Sequence, residues 1–296
     1  MFDEFKSVFQ RPNSAHIQLI VINVIVFLLM GIIYVFSTIG EADIIYTLIS
    51  NQFTIPPKFG DFILRPWTII TYAFAHSLTD IFHILFNMLI FYWFGKLFIE
   101  YLGNDKLIAL YLLGAIAGGV VYLLVYNTIP FFIERSGFTG MVGASAAVYA
   151  IVTGAAVLLP NYTFYLLFLG PIRIKYIAAF YIILSFLGSV GSNAGGNIAH
   201  LGGALMGFIY IKQLHVGINW GGWITLTLDW FKDLFNPRPK VKVTYRKAES
   251  RKAAKTPPGS KASQEEIDAI LDKISERGYE SLTSDEKEKL FNASKK

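Results

Sequence analysis

The chain has no cysteine. That absence excludes a disulfide framework, a thiol nucleophile and any cysteine-based metal site. Charge is scarce too: only 16% of the 296 residues are Asp, Glu, Lys or Arg, while 54% are hydrophobic. A soluble globular domain carries about 25% charged residues, so this composition, with a mean hydropathy of +0.48, belongs to the membrane class. No HExxH pair is present, and His76 and His83 stand seven apart with no Glu after either, which argues against a zinc intramembrane protease. A transporter would place charged groups or interrupted helices at the midplane. The later apolar runs hold no Asp or Glu at that depth.

What is present is a set of apolar runs of about 20 residues, the length of a helical bilayer crossing. They predict six spans, at about Ile17–Ile39, Ile81–Tyr101, Leu107–Tyr126, Val142–Leu159, Ile172–Val190 and Ile198–Leu214. Residues 1–16 are polar and lack a signal-peptide cleavage site, so the first run is expected to be a retained helix. The loop from 40 to 80 mixes apolar patches with Pro56, Pro57 and Pro66. It is expected to lie in the membrane interface with Trp67 and Tyr72 at headgroup depth rather than to be a soluble loop. The uncharged stretch Gly188–Asn197 reads as a flexible loop.

Beyond the last run, 215–235 repeats Trp220, Trp223, Ile224, Leu228, Phe231, Leu234 and Phe235 at helical spacing between charges. This predicts an interfacial amphipathic helix rather than a seventh span. A basic linker, 236–262, leads to a small helical pair at 263–296. There Ser263 with Glu266, and Thr283 with Glu286, give capping-box signatures, and Gly278 gives a stop. Fifteen of the 26 Lys and Arg but only ten of the 21 Asp and Glu lie after Phe235, leaving eleven of each before it. The whole excess of +5 therefore belongs to the tail. Such a tail reads as a cytoplasmic segment near anionic headgroups, not as a nucleic-acid arm. The expected fold class is all-α: a polytopic membrane protein with a six-helix bundle and a small cytoplasmic helical segment.

Sidedness brings the polar residues of the spans together. Lys6, Arg11, Lys96, Lys106, Arg173, Lys175 and Lys212 fall on the side assigned as cytoplasmic, against Lys58, Arg65 and Arg135 outside. Spans two, four and six then run inward from the outer side. His83 and Asn87, one turn apart, Ser145 and His200 each lie near the start of one of them, at a single depth. Small residues favour close approach: Gly143, Ala147 and Gly154 on the fourth span, Ala199, Gly203 and Gly207 on the sixth, Gly114 and Gly118 on the third. Any one of these glycines, or a lone serine, is more often packing than chemistry.

A serine hydroxyl needs a base, and histidine is the usual one. No carboxylate stands at the right depth, so the available arrangement is a dyad of Ser145 as nucleophile and His200 as general base. Tyr149, one turn after Ser145, can pack beneath the imidazole. The amides at the start of the fourth span, that of Ser145 among them, can face an oxyanion. The His83 and Asn87 side chains can add donors.

The pattern resembles the rhomboid family of intramembrane serine proteases. Gly143-Ala144-Ser145-Ala146 followed by Tyr149, Ala199-His200-Leu201-Gly202-Gly203 two spans later, and His83 with Asn87 two spans earlier carry the resemblance. It implies a six-helix core with a wet cavity open to the outer side. It also implies cleavage of transmembrane protein substrates in or beside their membrane segments, in the lipid bilayer, with no cofactor and no metal. His76 resembles a histidine many members carry before the HxxxN pair, its role left open. The expected location is a bacterial inner (plasma) membrane with both termini cytoplasmic. The alternative is a silent relative that escorts membrane clients without cutting them. Such relatives typically lack the serine or the histidine, and this chain keeps both.

Overall fold

The computed structural model describes residues 13–134, 136, 140–166, 170–235 and 264–294. Residues 1–12, Arg135, the whole basic linker 236–262 and the expected Ser263 cap lie outside these residues. The chain divides into two units, Met1–Arg238 and Pro239–Lys296.

The first unit is built on helices. Helix α1 spans Ala15–Ile39, and the loop after it contains three short helices, α2 (Asp43–Ser50), α3 (Phe59–Ile63) and α4 (Thr68–Thr71), then a 3-10 turn at Tyr72–Phe74. A long helical run, α5, covers Ile81–Thr128 but breaks at Gly103, whose φ of 80° ends one arm and opens the next. At about 1.5 Å per residue an unbroken helix would hold Phe91 and Tyr111 about 30 Å apart. Their rings lie 5.4 Å apart. The two arms therefore fold back on each other at a residue whose missing Cβ permits that φ. Four-residue α6 (Pro130–Ile133) follows.

Helix α7 (Ser145–Leu158) is the centre of the unit. Every residue from Ala146 to Ala156 is buried except Tyr149, and α7 packs against α5 and α9. Small residues make this possible. A Cβ at Gly203 or Gly207 of α9 (Ala194–His215) would strike the backbone carbonyls of Ala146 or Ala150, and one at Gly114 of α5 would strike the Ala150 methyl. The face that α7 turns to α9 thus centres on Ala146 and Ala150 and includes the predicted Gly154, where a Cβ would lie 3.4 Å from Ile211 of α9, while the predicted Ala147 lies against Gly114 of α5. Gly143 precedes the helix, and Gly154 meets the side chains of Leu110, Ile211 and Phe98.

Two boundaries differ from the sequence-based expectation. Two antiparallel strands, β1 (Thr163–Leu166) and β2 (Gly170–Arg173), precede helix α8 (Ile174–Gly188) and take in the first two residues of the fifth predicted span. Among the described residues the mostly helical fold therefore contains one two-stranded sheet. The expected flexible loop shortens because α9 already starts at Ala194, and the Asn197 amide donates to the Gly188 carbonyl at 3.0 Å. Tyr72 does not reach the protein surface: it is 1% exposed and donates to the Ala115 carbonyl at 2.7 Å. Trp67 does remain exposed.

Helix α1 and the run α5 are long and apolar enough to cross a membrane. The outer surface is apolar as well: Leu28, Ile32 and Phe36 of α1 and Phe180, Ile183 and Leu187 of α8 are exposed. Patches of that extent are stable against lipid or another protein, not against water. Helix α10 (Gly222–Phe235) buries Ile224 and exposes Trp223, Trp230 and Leu234.

The second unit, over its described residues, is a helical pair, α11 (Gln264–Arg277) and α12 (Ser284–Ser294). Gly278, with φ 76°, stops the first helix. Ile270 and Leu282 are buried. At the start of α12 the Glu286 carboxylate accepts from the Thr283 amide at 2.7 Å, while the Glu286 amide donates to the Thr283 hydroxyl at 3.4 Å, the reciprocal pattern of a capping box. Lys273 of α11 bonds the same carboxylate at 2.9 Å.

Candidate active site

Ser145 is the first residue of α7, and the chain before it is held from two directions. Ile55 and Met141 exchange backbone hydrogen bonds of 3.0 and 2.9 Å, and the Gly143 amide donates to the Tyr72 carbonyl at 3.0 Å. The loop preceding α5 thus fixes the approach to the serine. Gly143 has φ 133°, a conformation L side chains rarely adopt. A Cβ there would sit 3.0 Å from His83 Nε2 and 3.5 Å from Ser145 Oγ. Glycine is needed for both the turn and the space, and His83 and Ser145 flank one small gap.

His200, one and a half turns into α9, brings Nε2 to 2.7 Å from Ser145 Oγ. The Tyr149 ring lies flat under the imidazole, with centroids 4.2 Å apart and an interplanar angle of 13°. This is the stacking expected from their spacing. His83 is positioned by its helix start: Asp80 caps α5, its carboxylate accepting from the amides of Phe82 and His83 at 3.1 and 3.3 Å. Asn87 donates to the His83 carbonyl at 2.8 Å, which leaves the second N–H of its amide for another acceptor. Ala144 gives no side-chain cap to α7, so the amides of its first turn are open to an incoming oxygen.

A cavity of about 580 Å³ opens beside this cluster. It is lined by His83 and Asp80 at the start of α5, by Gly140–Val142 before α7, and by 191–196 at the start of α9. The starts of three helices therefore share one polar recess. His76 stands behind His83, with ring centroids 5.2 Å apart, and lines a separate cavity of about 1020 Å³ between α1 and the following loop. Among the described residues no three His, Asp or Glu side chains gather as a metal site requires.

One neighbour was missed by the sequence reading. Ser185 of α8, 1% exposed, places Oγ 3.0 Å from His200 Nδ1. The available signal was a hydroxyl inside an apolar run, the same signal used for the other spans but not applied to the fifth.

A rhomboid domain family matches residues 64–216, and a second, described as a family of unknown function (DUF6576), matches 260–296. The chain is 36% identical over 163 residues to RHOMBOID-like protein 12, mitochondrial, of Arabidopsis thaliana, a match covering 52% of this chain and 48% of the relative. It is 31% identical over 160 residues to Rhomboid protein 1, mitochondrial, of Saccharomyces cerevisiae, covering 51% of this chain and 42% of the relative. The chain thus spans about half the length of the curated relatives it matches. Both relatives are named as mitochondrial proteins of eukaryotes, which overturns the expectation of a bacterial plasma membrane with cytoplasmic termini. Composition could not have separated the two, because the bilayer constraint on apolar runs is the same in both membranes. With the matched domain covering just over half of its residues, the chain belongs to the rhomboid family.

Proposed function

We propose that the protein is an intramembrane serine endopeptidase that hydrolyses peptide bonds in or beside the transmembrane segments of membrane-anchored substrates. The observation that carries this reading is the 2.7 Å approach of His200 Nε2 to Ser145 Oγ at the edge of a polar recess in an otherwise apolar bundle. Helix α1, the two arms of α5, and α7, α8 and α9 are the six membrane-spanning segments, with α10 lying in the interface. The relatives' names point to a mitochondrial membrane.

In the proposed reaction Ser145 Oγ attacks the scissile carbonyl carbon as its proton passes to His200 Nε2. The carbonyl oxygen becomes an oxyanion facing the Ser145 amide, His83 and the free N–H of Asn87. Collapse breaks the C–N bond, and His200 returns the proton to the leaving amine. A water molecule from the recess then gives its proton to His200 and attacks the ester, releasing the carboxylic acid and restoring the Ser145 hydroxyl. Helix α7 has 14 residues, or about 21 Å at 1.5 Å per residue, against a hydrocarbon core of about 30 Å. A helix that short places its first residue below the membrane surface, where the substrate's own helix must be met.

The test is cleavage of a reconstituted membrane substrate, with the products read by mass spectrometry. Wild type should cut, and Ser145→Ala and His200→Ala should not while staying folded. Client binding by wild type without any product would instead favour an escort, and an alanine variant that still cuts removes the role given to that residue.

A further inference from the structure

We infer that Ser185 is a positioning residue that sets the tautomer of His200, standing where a third polar group is otherwise lacking. This rests on the hydrolytic reading above. For Nε2 to accept the Ser145 proton, the neutral imidazole must carry its own proton on Nδ1. Nothing in the ring enforces that choice. The partner of Nδ1 does, and that partner is Ser185 Oγ at 3.0 Å.

A hydroxyl can donate or accept, so its direction has to be fixed from outside. Ser185 Oγ lies 2.8 Å from the Tyr149 hydroxyl, which in turn lies 3.4 Å from the Tyr181 carbonyl. A carbonyl only accepts, so the chain has one polarity when read from that end. Tyr149 gives its proton to the carbonyl and presents a lone pair to Ser185. Ser185 donates there and presents a lone pair to Nδ1. His200 then holds its proton on Nδ1 and leaves Nε2 free for Ser145. Four hydrogen bonds across α7, α8 and α9 thus orient one proton. Tyr149 accordingly has two tasks, a ring under the imidazole and a hydroxyl acting through Ser185.

Burial strengthens the argument, because at 1% exposure Ser185 has no surface through which water replaces a lost partner. Removing its oxygen leaves Nδ1–H facing a methyl group, and the imidazole turns to the tautomer that can satisfy its proton elsewhere. That tautomer presents N–H, not a lone pair, to Ser145.

The test pairs kinetics with nitrogen NMR on full-length protein in lipid nanodiscs, with the His200 ring signals assigned by their loss in His200→Ala. Wild type should show a protonated Nδ1 and an unprotonated Nε2. In Ser185→Ala the spectrum should shift toward the opposite tautomer, and kcat should fall about 10-fold, the scale of one neutral hydrogen bond, with KM within about twofold. Ser185→Thr should restore both readouts, whereas Ser185→Cys, which fills the space with a poor acceptor, should behave like Ala. Tyr149→Phe added to Ser185→Ala should cost little more than Ser185→Ala alone. An unchanged tautomer in Ser185→Ala, or equal losses in Ala and Thr, would overturn the inference. Cleavage that survives Ser145→Ala would sink the hydrolytic reading instead, and the nitrogen spectra would still decide the role of Ser185.

Discussion

Replacing Gly203 by alanine should separate the two reacting side chains without touching either. A Cβ at this position would lie on the Ala146 carbonyl, 2.8 Å from its carbon and 3.1 Å from Ala146 Cα. Carbon atoms in contact prefer about 3.5–4.0 Å and the Ala146 oxygen lies closer still, so α9 and α7 must part by at least about 0.7 Å. His200 is one turn before Gly203 on α9, and Ser145 immediately precedes Ala146 on α7, so the displacement falls on their hydrogen bond. Its 2.7 Å length would stretch to about 3.4 Å or more, which weakens the proton transfer between them. A misplacement near 1 Å costs about 100-fold in rate, so kcat should drop about 10- to 100-fold. Overpacking should also lower stability by about 1–3 kcal/mol. The assay is initial cleavage rate in lipid together with thermal unfolding, with Gly60→Ala as the control, since nothing lies within 4 Å of a Cβ at Gly60. Wild-type rate and unfolding temperature in Gly203→Ala would refute the claim that backbone contact between α7 and α9 sets the site.

Three further outcomes are expected. Asn87→Ala should slow cleavage about 100- to 1000-fold if its free N–H faces the oxyanion, and an unaltered rate would take it out of that role. Asp80→Ala should lose the α5 cap, costing about 1 kcal/mol in thermal unfolding and loosening His83, while Asp80→Asn should keep the cap; equal unfolding in all three proteins would contradict this. The Thr283 amide, then Lys273, hold the Glu286 carboxyl down to about 2. A depressed carboxylate contributes stability that is complete above its ordinary value near 4.5 and is lost as pH falls through the folded one. Amide exchange in α12 of the full-length protein should therefore quicken as pH drops from about 4.5 to 2, after correction for intrinsic rates, and Glu286→Gln should lack that step.

The placement of Ser145, His200, His83 and Tyr149 was legible because each stands near the start of an alternate apolar run or one helical turn from a residue that does. A small residue before the serine and a residue one turn away both depend on helical periodicity alone. Ser185 was not, because its meaning comes from a ring nitrogen fifteen residues away on another helix, and by itself it looks like any hydroxyl in an apolar run. The strand pairing at 163–173 was not foreseen because it falls almost wholly in the connection between the fourth and fifth apolar runs, which a hydropathy reading passes over. The burial of Tyr72 was not foreseen, because an aromatic with a hydroxyl suits an exposed headgroup contact and a buried carbonyl equally well, and only the position of Ala115 supplies the carbonyl. The fold-back at Gly103 was foreseen as a break between two runs, though not the φ of 80° by which it is made.

The central claim, that His200 activates Ser145, is tested most directly by a fluorophosphonate that forms a covalent bond only with an activated serine. Mass spectrometry of the labelled full-length protein in lipid should find the adduct on Ser145 Oγ in wild type and none in His200→Ala. An unlabelled Ser145 in wild type, or equal labelling after the histidine is removed, would contradict the account.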